Sequence, residues 1–160
     1  MSAPTLLVTG ASGHLGRAVV RHLLDTLNID PARVIATSRK PEALADLAAQ
    51  GVTVRAADFD RPDTLAEAFR GADRLLLVST DTLLEPGKRL VQHRAAVQAA
   101  VEARVKHVVY TSLPSPDTSH VSFAPDHLGT EQALAASGLG WTFLRNAWYA
   151  ENLAYALPSA

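Results

Sequence analysis

The sequence of 160 residues contains no cysteine. This absence excludes disulfides, metal sites built on thiolates and cysteine nucleophiles. The formal net charge is only −1, so no strong field attracts phosphate backbones or anionic lipid, and nucleic-acid binding is not expected. No basic segment leads into the first apolar run, and no apolar run reaches the roughly 18 residues of a membrane span. We therefore expect one cytoplasmic domain over residues 1–160, with no membrane contact.

Short apolar runs alternate with helical patterns along the chain. Strands are predicted at residues 5–9, 33–38, 52–54, 75–78, 108–110 and 141–144. Helices are predicted at residues 15–27, 41–49, 62–70, 86–103 and 126–136. Gly51 stands where a left-handed residue commonly ends a helix, and Gly71 and Gly138 mark the ends of two further helices. This alternation predicts an α/β Rossmann fold, a doubly wound parallel sheet with helices on both faces.

A glycine-rich turn joins the first predicted strand to the first helix. In Thr9-Gly10-Ala11-Ser12-Gly13-His14-Leu15-Gly16, the first glycine permits a tight turn, the second lets a pyrophosphate approach, and the third lets helix and strand pack closely. An anion would lie on free N–H groups at the helix N-terminus. The alternative is a turn that only connects two elements. We predict dinucleotide binding by Gly10, Ser12, Gly13, His14, Leu15 and Gly16.

The end of the second strand is expected to select between NAD and NADP. An acidic residue there would hold the ribose hydroxyls of NAD, but the strand ends in Ser38-Arg39-Lys40. Arg39 can meet a 2′-phosphate with a planar fork, and Lys40 can add a point charge. The alternative is a solvated basic pair. The sequence therefore predicts NADP(H) in preference to NAD(H).

Other polar residues follow the third, fourth and fifth strands. Asp58 and Phe59 are placed to reach the adenine, although Asp58 could instead cap the next helix. The hydroxyl pairs Ser79-Thr80 and Thr111-Ser112 stand at carboxyl ends of strands, where ligands bind in such sheets. They could equally serve as helix caps or loop anchors. The irregular stretch 113–125 is expected to border the ligand.

Several segments together resemble the NmrA-like atypical short-chain dehydrogenase/reductases, and within them the bacterial type-2 NAD(P)H:quinone oxidoreductases. They are residues 9–16, Ala57-Asp58, 75–79, Tyr110-Thr111-Ser112, 127–131, and Leu144-Arg145-Asn146-Ala147-Trp148-Tyr149-Ala150-Glu151-Asn152. The resemblance covers essentially the whole chain. It implies hydride transfer from NADPH to a quinone without flavin or metal, and a further region beyond the sixth strand that closes over the substrate.

The acceptor side lacks the usual tyrosine followed by a lysine four residues later. His127 and Glu131 share one helix face there, so they could hydrogen-bond each other and face the nicotinamide ribose, or form a surface ion pair. Asn146 could fix a carboxamide or a quinone oxygen, and Tyr149 or Trp148 could stack on a flat ring. We expect Asn146, Tyr149 and His127 to be catalytic and Glu131, Arg145 and Trp148 to contact the cofactor.

A second function stays open, a non-catalytic NADP(H)-binding redox sensor that regulates a partner. The sequence also leaves a homodimer open. Lys88, Arg89 and Arg94 are interpreted as a solvated helix face rather than a partner surface. No metal site is predicted, because five histidines lack a spacing suited to one and are interpreted as surface or supporting residues: His14, His22, His93, His107 and His120.

Overall fold

The computed structural model describes residues 3–83 and 85–150. Its centre is one sheet of six parallel strands in the order β3-β2-β1-β4-β5-β6. The strands are β1 Leu6–Val8, β2 Val34–Ser38, β3 Thr53–Ala56, β4 Arg74–Leu77, β5 His107–Ser112 and β6 Gly140–Arg145. Strand order reverses between β1 and β4, so this is the Rossmann arrangement, with a crevice above the carboxyl ends of those two strands.

Five α-helices connect the strands. They are α1 His14–Arg21, α2 Ala45–Ala48, α3 Leu65–Phe69, α4 Lys88–Glu102 and α5 Ala124–Ala136. Short turns extend this set: a π-helical turn at His22–Thr26, and 3-10 turns at Pro31–Arg33, Pro41–Leu44 and Pro62–Thr64. No helix among the described residues is both long and apolar enough to span a bilayer.

The core divides between the two faces of the sheet. On β1, Leu7 belongs to the cluster covered by α3, α4 and α5, and the next residue, Val8, belongs to the cluster covered by α1 and α2. This alternation follows from the two-residue period of a strand. The buried phenol of Tyr110 lies in the first cluster, beneath α4 and α5. The helices therefore cover both faces, as predicted.

The predicted elements all occur, with shifted ends. The helix predicted at 86–103 begins only at Lys88, because Gly87 has φ +79°, which a right-handed helix cannot contain. The predicted helices 41–49 and 62–70 each open with a 3-10 turn at a proline. The helix predicted from 126 begins at Ala124, since Pro125 fits the first turn, where no N–H is needed. The left-handed conformation expected at Gly51 is confirmed, and Gly71 and Gly138 adopt it as well.

Candidate functional site

A cavity of about 260 Å³ opens at the carboxyl ends of the four strands β1 to β4. Its position is the switch point of the sheet, where ligands bind in this fold. Four loops and one helix supply its walls. The lining residues are Gly10, Ser12, Gly13, Ser38, Arg39, Ala57, Asp58, Phe59, Asp60, Val78, Ser79, Thr80, Asp81, Thr82 and Gln92.

The glycine turn has a backbone conformation that disfavours side chains at residues 10 and 16. Gly10 has φ +60°, a conformation that favours glycine. A Cβ on Gly16 would lie 2.7 Å from the carbonyl carbon of Gly10 and 2.9 Å from Cα of Ala11. Such contacts with backbone cannot be relieved by a rotamer change, so α1 approaches β1 this closely only because residue 16 is glycine. The role predicted for Gly16 in close packing is thereby confirmed.

The N-terminus of α1 is left open toward this cavity. Its N-cap residue is Gly13, no side chain caps it, and its first turn contains no acidic residue. The N–H groups of a first helical turn have no partner within the helix. They carry a partial positive charge that attracts an anion. His14 is exposed and Leu15 half-buried in this turn, and neither side chain lines the cavity.

Hydrogen bonds fasten the turn to the end of β2. The Ala11 N–H donates to the Thr37 carbonyl at 2.9 Å, and the Ser12 and Ser38 hydroxyls are 2.9 Å apart. Ser38 Oγ also accepts the N–H of Lys40 at 3.0 Å. These bonds hold the turn and the basic pair in one place relative to the cavity.

Arg39 borders the cavity where selectivity was predicted. Its guanidinium is 64% exposed and lies 3.8 Å from the carboxylate of Asp81, which follows β4 on the opposite wall. An exposed pair at this distance holds its partners weakly. Arg39 therefore remains available to an incoming anion. Lys40 is exposed beside it and does not line the cavity.

Asp58 and Phe59 lie on the wall that follows β3. Asp58 Oδ1 accepts the N–H of Asp60 at 3.0 Å, so the side chain stabilises its own loop. It does not cap the next helical turn, which begins at Pro62 after Arg61. Phe59 also packs against the core.

The hydroxyl pairs after β4 and β5 have different positions. Ser79 and Thr80 line the cavity, whereas Thr111 and Ser112 are buried behind it. The Thr111 hydroxyl accepts the N–H of Ser79 at 2.8 Å, which makes it a loop anchor. The hydroxyl of Ser112 instead donates to Glu131 at 2.6 Å.

Glu131 forms the polar junction between α5, β5 and β6. Arg145 donates two hydrogen bonds to its carboxylate, at 3.1 and 2.8 Å, and Ser112 donates a third. Burial raises the pKa of Glu131, but the bonds from Arg145 and Ser112 outweigh it, so that the pKa is lowered. The polar atoms of Glu131 and Arg145 are thus engaged with each other.

His127 is buried and does not line the cavity. Arg89 Nη1 donates to its Nε2 at 2.9 Å, and the Tyr110 phenol lies 2.7 Å from its Nδ1. Burial and then the charge of Arg89 lower the pKa of His127 to about 4, and burial raises the pKa of Tyr110. The predicted hydrogen bond between His127 and Glu131 is wrong, because each is bonded to other residues. The surface ion pair is also wrong, because both are buried.

Sequence reasoning missed Gln92 on α4 and was wrong about Arg89. Gln92 holds the loop after β4, as does His93, which was interpreted as a surface or supporting residue and is a buried support. Arg89, interpreted as solvated, is only 4% exposed. Arg89 lies over the ring of Phe123 at 5.0 Å, and its Nε–H is without a partner among the described residues. The signal that was available is spacing: residues 89, 92, 93, 96 and 100 share one helix face.

The residues predicted to lie on the acceptor side are apart from the cavity lining. Asn146 is half-buried and donates to the Tyr149 hydroxyl at 3.2 Å, while Trp148 and Tyr149 are 64% and 40% exposed. Two residues of the family-like stretch, Glu151 and Asn152, fall outside the described residues. Among the residues the structure describes, no three histidine or acidic side chains are grouped as a metal site requires.

Comparison with known proteins finds a matching family and similar solved structures. Residues 2–160 match the model of the NmrA-like family. Quinone oxidoreductase 2 of Escherichia coli is 42% identical over 155 residues, which is 97% of this chain and 52% of that protein. The chain spans about half the length of the relatives it matches.

Two solved structures superimpose closely. The NADPH-dependent quinone oxidoreductase of Escherichia coli complexed with NADPH has a TM-score of 0.85 and 43% identity, over 94% of this chain and 52% of that one. The triphenylmethane reductase of Citrobacter sp. complexed with NADP(H) has a TM-score of 0.87 and 38% identity, over 92% and 51%. The family match covers nearly the whole chain, and this protein therefore belongs to the NmrA-like family.

Proposed function

We propose that the protein is an NADPH-dependent oxidoreductase that passes a hydride to a quinone. The observation that carries the proposal is that the uncapped N-terminus of α1 and the guanidinium of Arg39 border the same cavity. The end of β2 has no carboxylate that would repel a 2′-phosphate. Relatives that reduce quinones or are complexed with NADPH support it. The geometry of the described residues supports dinucleotide binding. Quinone reduction is supported by the relatives alone, which are about twice as long as this chain.

Different residues of the cavity are assigned to different parts of NADPH. The open N–H groups of α1 beside Gly13 would hold the pyrophosphate, since the helix dipole favours an anion there. Arg39, with Lys40 nearby, would hold the 2′-phosphate through charge-assisted hydrogen bonds. Asp58 and Phe59 border the adenine, and Ser79 and Thr80 form the facing wall.

The acceptor is a flat ring placed near Asn146, Tyr149 and Trp148. The two exposed aromatic side chains offer stacking surfaces, and the Asn146 amide can orient a quinone or carboxamide oxygen. When bound, NADPH supplies the hydride; with one proton from solvent, the quinone becomes a hydroquinone and NADP⁺ is left. Positioning is the main demand, since a quinone is easily reduced.

His127 and Tyr110 are assigned a supporting role rather than acid catalysis. Both side chains are buried beneath α4 and α5 and neither lines the cavity. The raised pKa of Tyr110 makes proton release unfavourable, and the lowered pKa of His127 keeps the imidazole neutral near pH 7. Their hydrogen bonds instead hold α4, β5 and α5 together.

Calorimetric titration with NADPH and NADH tests the binding half. We expect preference for NADPH, and Arg39→Ala should weaken NADPH binding by about tenfold while leaving NADH binding nearly unchanged. Arg70→Ala is the matched control, because Arg70 is an exposed arginine outside the cavity. No binding of either dinucleotide would overturn the proposal.

Addition of benzoquinone then tests the chemistry. NADPH consumption that depends on the quinone supports the reductase. Tight NADPH binding without turnover, with the same result in a chain as long as the relatives, would favour the redox-sensor function instead.

A further inference from the structure

Gln92 is a buried amide that connects two walls of the cavity. It extends from α4 between the loop after β3 and the loop after β4, and its side chain is only 6% exposed. Its Nε2 donates to Asp60 Oδ1 at 2.9 Å. Its Oε1 accepts the hydroxyls of Thr80 at 2.8 Å and Thr82 at 3.1 Å. One side chain thus bonds both loops at once.

The chemistry of its partners fixes the orientation of this amide. A carboxylate can only accept, so the NH₂ group must face Asp60, and the amide oxygen is left for the threonine hydroxyls. The neighbouring residue of α4 also bonds to the loop after β4, because His93 Nε2 accepts the N–H of Thr80 at 3.0 Å. Thr80 is therefore held by α4 through both its backbone and its side chain.

The two loops that Gln92 joins are the ones proposed to border the adenosine half of the dinucleotide. Asp58, Phe59 and Asp60 come from one loop, and Thr80, Asp81 and Thr82 come from the other. Both loops have further contacts: His93 and Thr111 bond the loop after β4, Asp81 pairs with Arg39 at 3.8 Å, and Lys88 lies 3.7 Å from Asp60. Gln92 bonds to both loops directly, so its hydrogen bonds help to set the separation of these walls.

We infer that Gln92 is a positioning residue whose hydrogen bonds to Asp60, Thr80 and Thr82 set the width of the adenosine end of the cavity. This inference rests on the proposed NADPH binding. It assigns Gln92 an effect on affinity for the adenosine half and none on the nicotinamide half, because the glycine turn and the acceptor-side residues are not bonded to it.

Gln92→Glu should separate the walls. The new carboxylate keeps its acceptor oxygens for the threonines, but it faces Asp60 as a like charge and has no N–H to donate. We expect affinity for NADPH and for adenosine 2′,5′-bisphosphate to fall by about tenfold. Affinity for reduced nicotinamide mononucleotide should not change.

Exchanging the amide and the carboxylate between residues 60 and 92 should restore the affinity. In the double variant Asp60→Asn with Gln92→Glu, the new amide can donate to the new carboxylate and restore the bond with opposite polarity. Asp60→Asn alone should be mild, since its amide oxygen can still accept from Gln92. Gln98→Glu, an exposed position on the same helix, is the control for charge on α4.

Calorimetric titration of the full chain tests the inference with three probes: NADPH, adenosine 2′,5′-bisphosphate and reduced nicotinamide mononucleotide. Loss in Gln92→Glu that is restricted to the two adenosine-containing probes and restored in the double variant supports the inference. Unchanged binding in Gln92→Glu, equal loss for all three probes, or no rescue would overturn it while leaving the proposed function intact. Absence of NADPH binding in the unaltered protein would instead defeat the proposed function.

Discussion

The phenol oxygen of Tyr110 lies 2.7 Å from Nδ1 of His127, in a part of the core where both side chains are almost fully covered. Because Arg89 can only donate, its bond to Nε2 leaves the proton of the neutral imidazole on Nδ1, directed at Tyr110. His93 has the same tautomer, since its Nε2 accepts the Thr80 N–H. Two neutral histidines thus converge on one tyrosine.

This pair of neutral histidines should make the protein sensitive to mild acid. The pKa of His127 is lowered to about 4 and that of His93 to about 3, chiefly by burial and then by Arg89. The unfolded chain binds protons near pH 6.5, so stability is full above that pH and falls as the pH drops toward the folded pKa values. Near pH 5 the slope should be about 2.5 kcal/mol per pH unit for the two groups together.

Urea unfolding between pH 7.5 and pH 5 measures this slope. His127→Gln removes one titrating group and should reduce the slope by about half, whatever its effect on stability at pH 7.5. His120→Gln, at an exposed position, is the control and should leave the slope unchanged. A wild-type stability that is flat from pH 7 to pH 5 would contradict the enclosed neutral histidines.

A second prediction compares two helical glycines. Alanine at residue 16 would press its Cβ on the backbone of Gly10 and Ala11, whereas alanine at residue 129 would meet the flexible end of Leu90 at 2.8 Å. Gly16→Ala should therefore cost about 3 kcal/mol and abolish NADPH binding. Gly129→Ala should cost less than half as much, because Leu90 can move and alanine gains about 1 kcal/mol of helix propensity. Chemical unfolding with calorimetry checks both, and equal costs would refute the difference.

Most of the fold could be predicted from the sequence because its local signals agree. The buried strands read as short apolar runs, and Gly51, Gly71 and Gly138 mark the helix ends that they occupy in the structure. The first and last residues of the helices were harder to predict. Gly87 delays α4 through its own backbone conformation, and Pro125 is accepted in the first turn of α5, and neither effect is visible in hydrophobic periodicity.

The site was predictable where a motif or the end of a strand marks it. The glycine turn follows from its motif and Arg39 from its strand position, as do Asp58, Phe59, Ser79 and Thr80, and all of them lie at the cavity. Gln92 escaped notice because its role depends on two loops that are remote in sequence and meet only in the folded sheet. The hydrogen-bond partners of His127 could not be predicted for the same reason, since Arg89 and Tyr110 come from two other elements.

A third prediction concerns Glu131, expected from the sequence to contact the cofactor. Because its carboxylate is bonded by Arg145 and Ser112, we expect Glu131→Gln to lower the free energy of unfolding by about 1 to 2 kcal/mol at pH 7. The affinity for NADPH should stay within about twofold. Urea unfolding and calorimetry measure the two effects, with the exposed Glu102→Gln as control.

The pH dependence of this variant gives a further check. The pKa of Glu131 is lowered in the folded protein, so its contribution is full above the unfolded pKa and is lost as the pH falls through the folded value. The stability difference between the wild type and Glu131→Gln should therefore be greatest near pH 7 and narrow below about pH 4. A large loss of NADPH affinity at unchanged stability would instead restore the cofactor role of Glu131.

The last prediction follows from the position of Asp81 across the cavity from Arg39. Their 3.8 Å pair is 64% and 84% exposed, so separating it costs little, but the carboxylate still repels a 2′-phosphate that approaches Arg39. Asp81→Asn should strengthen NADPH binding by about threefold at low salt, and the gain should vanish at high ionic strength, where exposed charges are screened. NADH affinity should change much less, because NADH has no 2′-phosphate. Asp63→Asn, which opens a similarly exposed pair with Arg61, is the control. If NADPH and NADH gained equally, or the gain survived high salt, the 2′-phosphate would not lie at Arg39.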